Sequence, residues 1–285
     1  MLRPQSPAGV VREPPGRAAG RERSRVVSTI GGAAGRGAAA GRFQEEQEEQ
    51  AFKREAASVR HPLARALLVL TFTTGLIDAA SYLGLGHVFT ANMTGNVALL
   101  GFGIAKSGGL PVVAPLVSLG AFLVGGGVGG LLMTRLGGHR PALLARALAI
   151  EVGLLAVAAV LAAAANVHPG NAAGYALIVL MAFAMGVRNA VVRRIGVPDL
   201  TTTVLTMTLT GLAAEAMPVG GSGKGSIRRS AAVLAMLVGA IAGALLLKVA
   251  LFVPLAVAAA LALATWLVYV PAALGRRSRA SRRAR

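Results

Sequence analysis

Six apolar segments, at about 63–85, 111–134, 142–165, 172–193, 229–249 and 252–271, constrain this chain more than any other feature. Each runs close to the roughly 20 residues that a helix needs to cross the hydrocarbon core of a bilayer. In lipid the backbone must satisfy its own polar groups, so runs of this length are expected as helices. The charges agree. Of eleven acidic residues, seven precede Ala56, which leaves only Asp78, Glu151, Asp199 and Glu215 in the rest of the chain. Four acids cannot solvate a globular surface of that size, and the expected class is an all-α membrane protein.

The domain organisation follows from where the polar residues fall. Residues 1–60 are rich in Arg, Gly, Ala and Pro, contain the low-complexity block at 45–50, and offer no apolar run long enough for a signal peptide. They are expected to form a disordered basic cytoplasmic tail, or to be an extension upstream of a misplaced start codon. Residues 61–273 read as one polytopic membrane domain and 274–285 as a second basic cytoplasmic tail. The net charge of +18 does not point to nucleic acid, since no domain with stacking aromatics accompanies it. Its lysines and arginines sit in tails and short loops, where they favour the cytoplasmic side and attract anionic lipid head groups. With no cysteine, and four histidines scattered at segment ends, neither a metal site nor a cofactor is expected.

Two further segments, about 90–105 and 200–217, are shorter and richer in Thr, Asn and Gly. If they crossed as well, Arg135, Arg140, Arg193 and Arg194 would fall outside. If they only dip in and return, both termini and almost every basic loop lie inside, leaving Lys106 and Lys248 outside. The positive-inside rule therefore favours six transmembrane helices plus two short re-entrant or broken helices, with both termini cytoplasmic. A weak internal repeat fits: at an ungapped offset of 111 residues, Phe72, Gly75, Ala79 and Thr90 match Phe183, Gly186, Ala190 and Thr201, and Asp78 faces Asn189. Three crossings between the copies would make this a 3+3 inverted repeat, with the discontinuous helices at its interface.

Candidate site residues gather around the two short segments. Asp78 lies within an apolar span and is followed by Thr90, Asn92, Thr94 and Asn96. A carboxylate at bilayer depth is costly and marks a functional site by default; Asp78 is expected either to bind a proton or solute, or to be a satisfied structural acid capping the short helix. The first turn of such a helix exposes unpaired N–H groups that Thr and Asn side chains can cap or share with a solute. In the second half stand Arg188 and Asn189, then Asp199 and Glu215. Arg188 is expected to snorkel or to pair with Asp78, Asp199 or Glu215. Asp199 reads most simply as a helix N-cap, and Glu151 as the partner of a basic side chain from another helix or as a second proton site. The threonines at 206, 208 and 210 fall on different helix faces, so most are expected to bond back to their own helix. The glycines at 125, 126, 129, 130, 239 and 243 are spaced for close helix packing, within the protomer or in a homo-oligomer. Gly221-Ser-Gly-Lys224-Gly-Ser226 is a linker, because Gly rather than Ser or Thr follows the lysine and no strand precedes it.

The run Leu70-Thr-Phe-Thr-Thr-Gly-Leu-Ile-Asp78-Ala-Ala-Ser-Tyr-Leu-Gly84, the run Val88-Phe-Thr-Ala-Asn-Met-Thr-Gly-Asn96 and Gly186-Val-Arg-Asn-Ala190 resemble the YoaK family of small bacterial inner-membrane proteins. The resemblance covers about residues 62–272. It implies a polytopic membrane protein with about six helices and no established biochemical activity, and it supplies no substrate or site residue. The residues themselves lead to the expectation of a permease-like transporter of a small polar or charged solute, passive or coupled to a proton or ion. The alternative is a non-transporting accessory or assembly protein. No His-Glu-x-x-His, Gly-x-Ser-x-Gly or paired Ser/His arrangement occurs in the spans, so an enzyme is not expected.

Overall fold

The computed structural model describes residue 47 and residues 61–135, 140–195, 205–214 and 225–283, with the backbone alone at 140–141 and 270–283. The proposed tail at 1–60 thus lies outside the described residues apart from Gln47, and so do Asp199, Glu215 and the linker around Lys224. The described residues form eight helices and no strand: α1 (Pro62–Gly84), α2 (Met93–Ile104), α3 (Val113–Arg135), α4 (Arg140–Ala164), α5 (Ala172–Ile195), α6 (Leu205–Ala214), α7 (Ser226–Leu247) and α8 (Phe252–Arg283). Six of them are long and apolar enough to cross a membrane, whereas α2 and α6 have 12 and 10 residues. At 1.5 Å per residue these two reach no further than about 18 Å, short of a roughly 30 Å core. The protein is an all-α membrane protein with six spanning helices and two short ones.

Helix ends follow local chemistry. Pro62 opens α1, where its missing N–H costs nothing, and the Nδ1 of His61 accepts the Leu63 N–H at 3.3 Å. α1 stops in a Schellman turn: Gly86 takes φ 91°, and the His87 N–H reaches the Tyr82 carbonyl at 2.9 Å. α2 stops the same way, with Lys106 at φ 55° and the Ser107 N–H on the Phe102 carbonyl at 3.0 Å. The backbone of α8 stays helical to Arg283, through most of the stretch read as a basic tail, while its apolar spanning part ends at Tyr269. Ala and Arg are good helix formers, and the helical backbone carries Gly275 within the run.

Packing alternates between the halves of the chain. α1 packs on α7 and α8, α5 on α3 and α4, and α4 on α8, while α2 rests on α3 and α6 on α7. α1 and α5 form the centre, 67% and 61% buried over their apolar windows against 17% for α3 and α7. Leu76 and Ile77 of α1 meet Leu155 of α4, Leu177 and Met181 of α5 and Leu255 of α8 in one core.

The halves repeat one geometry. A Cβ on Gly75 would collide with the Met236 carbonyl, and a Cβ on Gly186 with the Phe122 carbonyl; Gly239 abuts the Phe72 carbonyl and Gly125 the Phe183 carbonyl. Likewise Gly243 meets Leu76 and Ala79, and Gly129 meets Val187 and Ala190. Every pair relates α1 to α5 at an offset of 111 residues, as the sequence suggests, but α3 to α7 at 114. An ungapped comparison loses the second helix of the repeat because the connection before α7 is three residues longer. With three crossings separating α1 from α5, the two halves are inverted in the membrane.

Candidate functional site

Asp78 fixes where the chain turns back. Its Oδ1 accepts the backbone N–H groups of Thr90 at 3.0 Å and Ala91 at 2.8 Å, although it lies six residues before the end of α1. The strand of chain leading into α2 is therefore drawn roughly 9 Å below the level of Gly84, counted at 1.5 Å per residue. Asn96 clamps the same segment from the other side. It accepts the Phe89 N–H at 2.9 Å, donates to the Phe89 carbonyl at 2.7 Å, and donates to Ser118 of α3 at 3.1 Å, while the Ser118 hydroxyl donates to that carbonyl at 2.7 Å. Tyr82 stacks on Phe89 with centroids 4.8 Å apart. Asn92 caps α2, its Oδ1 accepting the Gly95 N–H at 3.2 Å.

Arg188 occupies the middle of the bundle with no exposed surface. Its Nη1 donates to Glu151 Oε1 of α4 at 2.8 Å and to the Thr73 hydroxyl at 3.3 Å, and its Nη2 donates to the Thr74 hydroxyl. Those two hydroxyls donate in turn to the Leu70 carbonyl at 2.9 and 2.8 Å, so each threonine both gives and accepts. This corrects the sequence reading, which had Arg188 snorkelling or pairing with Asp78, Asp199 or Glu215. Arg188 is held by Glu151, while the Oδ1 of Asp78 is taken by the backbone N–H groups of Thr90 and Ala91. A guanidinium buried at this depth needs a partner on another helix, and Glu151 on α4 is the acid that α5 packs against.

Asp78, Glu151 and Arg188 thus form a buried polar core with two carboxyl groups and one guanidinium. Asp78 Oδ2, the Thr90 hydroxyl, Glu151 Oε2 and Arg188 Nε have no protein partner. Beside it a cleft of about 710 Å³ opens between the start of α2, α3 and α5, lined among others by Asn92, Thr94, Gly126, Asn189 and Arg193. Asn92, Thr94 and Asn189 are thereby brought to one cavity, although the side-chain amide of Asn189 also donates to the Met185 carbonyl at 2.9 Å. Asp78, Thr90 and Arg188 lie in the buried core instead, and Asn96 is committed to the Phe89 backbone. Asp199 and Glu215 fall outside the described residues.

Sequence reasoning missed Thr73, Thr74, Ser118 and Arg193. Thr74 carries a legible signal, since it stands four residues before Asp78 and so shares its helix face. Ser118 and Arg193 carry none, because only the fold brings them to the start of α2. No group of three or more His, Cys, Asp or Glu able to hold a metal ion occurs among the described residues.

A family profile described as "Protein of unknown function (DUF1275)" matches residues 66–268. The chain is 37% identical over 158 residues to the UPF0700 transmembrane protein YoaK of Bacillus subtilis (strain 168), a match covering 55% of this chain and 67% of that protein. No solved structure matches the chain.

Proposed function

Because the chain belongs to the DUF1275 family and is an integral membrane protein, we propose that it is a permease-like carrier of a small polar or charged solute. The solute enters the cleft lined by Asn92, Thr94, Asn189 and Arg193, beside the buried Asp78, Glu151 and Arg188, two carboxyl groups to one guanidinium. That imbalance is the observation that carries the reading. With all three groups ionised the core holds one uncompensated negative charge, which a protein rarely buries without a proton or a cation to neutralise it. Asp78 is the proton or cation site, and its loading is coupled to solute through the start of α2, which Asp78 holds. Inverted halves that each carry a short helix match the architecture in which many secondary carriers keep a central site. We further propose that the protein resides in a bacterial inner membrane with both termini cytoplasmic, and that it is not an enzyme.

One observation favours a second reading, a non-transporting accessory protein: Asp78 Oδ1, Asn96 and Ser118 all serve to hold the connection before α2. A thermal-stability screen of the purified protein against metabolites and ions separates the two, run on the wild type and Asp78→Asn at two pH values. A solute present at 100 times its dissociation constant should add about 2.7 kcal/mol if it binds only the folded protein. A solute-specific shift in the wild type that is lost in Asp78→Asn supports the carrier. No shift with any solute, together with a less stable variant, leaves Asp78 as a structural acid and favours the accessory protein.

A further inference from the structure

A second groove lies away from the polar core, between the first turns of α1 and the end of the apolar stretch of α8, with a volume of about 390 Å³. Ala66 and Val69 form one wall and Leu261 and Val268 the other. The Thr265 hydroxyl within it is already spent on the Leu261 carbonyl at 2.8 Å. The polar groups left to the lining are the exposed Arg65 guanidinium and the Tyr269 hydroxyl, and both belong to the same end of the groove: the first turn of α1 and the last residue of the apolar stretch of α8. Trp266, one helical turn from Tyr269, donates its indole N–H to the Ala145 carbonyl at 2.9 Å, and aromatic side chains of this kind collect at the level of lipid head groups. Around the groove Leu263, Leu267 and Val268 are exposed, an apolar surface suited to acyl chains.

From this groove, apolar along its length and cationic at one end, we infer a binding site for an anionic phospholipid, one acyl chain between α1 and α8 and the phosphate on Arg65. Basic pockets between transmembrane helices hold such head groups. The repeat supplies an independent argument. Arg65 corresponds to Ala176 at the offset of 111, so the packing of the shared scaffold does not require a cation at this position. The arginine is an addition made on one side only, at the end where α8 runs on towards Arg283.

The test is native mass spectrometry of the full-length protein in detergent, titrated with phosphatidylglycerol, with phosphatidylcholine of the same chains, and with soluble glycerol 3-phosphate. Arg146, exposed near the start of α4, provides a control arginine outside the groove. Arg65→Ala should weaken phosphatidylglycerol about fivefold, the worth of one cation near an anionic surface, and leave phosphatidylcholine unchanged. Ala264→Trp should fill the groove and weaken both lipids, with Arg146→Ala behaving as wild type and all variants unfolding at the wild-type temperature. Equal losses in Arg65→Ala and Arg146→Ala would reduce the effect to diffuse attraction and overturn the site. Binding of glycerol 3-phosphate as tight as that of the lipid, or lipid retention unchanged by every variant, would overturn it as well.

Discussion

A guanidinium with no exposed surface is tolerable only when its charge and its N–H groups are answered, and Arg188 has three partners on two other helices. Removing one of them should be worse than removing the pair. Glu151→Ala leaves Arg188 unanswered and is expected to cost about 3–5 kcal/mol, whereas the double variant Glu151→Leu/Arg188→Met should recover most of that loss, since a buried ion pair often contributes little net stability over apolar replacements. Equilibrium unfolding in mixed micelles measures both, and a double variant no better than Glu151→Ala would deny the pair its special status. At this scale the sequence was informative about which residues matter and poor on their partners. Asp78, Glu151 and Arg188 stand out as charges in apolar runs, yet Arg188 was matched with every acid of its own half and Asp78 but not with Glu151. Pairing is a property of which helices touch, and α4 reaches α5 through a packing geometry that no local pattern encodes.

Elements meet along glycine seams. At Gly75 and Gly186 the facing backbone is so near that a methyl group has no room, while at Gly120 and Gly127 nothing lies within 4 Å. Gly75→Ala and Gly186→Ala are therefore expected to push α1 from α7 and α5 from α3 and to lower the unfolding temperature or abolish expression. Gly120→Ala and Gly127→Ala should be neutral or stabilising by about 0.5–1 kcal/mol, the usual gain in a helix interior. Fluorescence-detected size exclusion over a temperature series reads all four, and equal behaviour would refute the seams. The apolar spans of the six long helices were legible to within a few residues, because length and apolarity are local, whereas the continuation of α8 to Arg283 was not. The small-residue spacing also announced close packing, but not that Gly125 and Gly239 play the same part, since the change of offset from 111 to 114 hides their equivalence.

For the whole molecule, the six-crossing topology sets sidedness. The chain has no cysteine, so single cysteines can be placed without first removing any. Lys106→Cys and Lys248→Cys are expected to react with an impermeant maleimide in intact spheroplasts, and Arg135→Cys and Arg193→Cys only after permeabilisation; labelling of Arg135→Cys from outside would reverse or break the topology. What was least legible at this scale is that each half finds its partners in the other. α1 seals against α7 and α5 against α3, so neither half is a finished unit. During synthesis Asp78 is made 110 residues before Arg188, an interval of roughly 6–22 s at 5–20 residues per second. For that time the inserting chain holds an incomplete polar centre, with Thr73, Thr74 and Asp78 in the bilayer before Arg188 has been made. The ribosome and translocon must therefore carry α1 to α4 as an unsealed intermediate, and the order of translation, as much as the final packing, decides how long that intermediate is open to proteolysis.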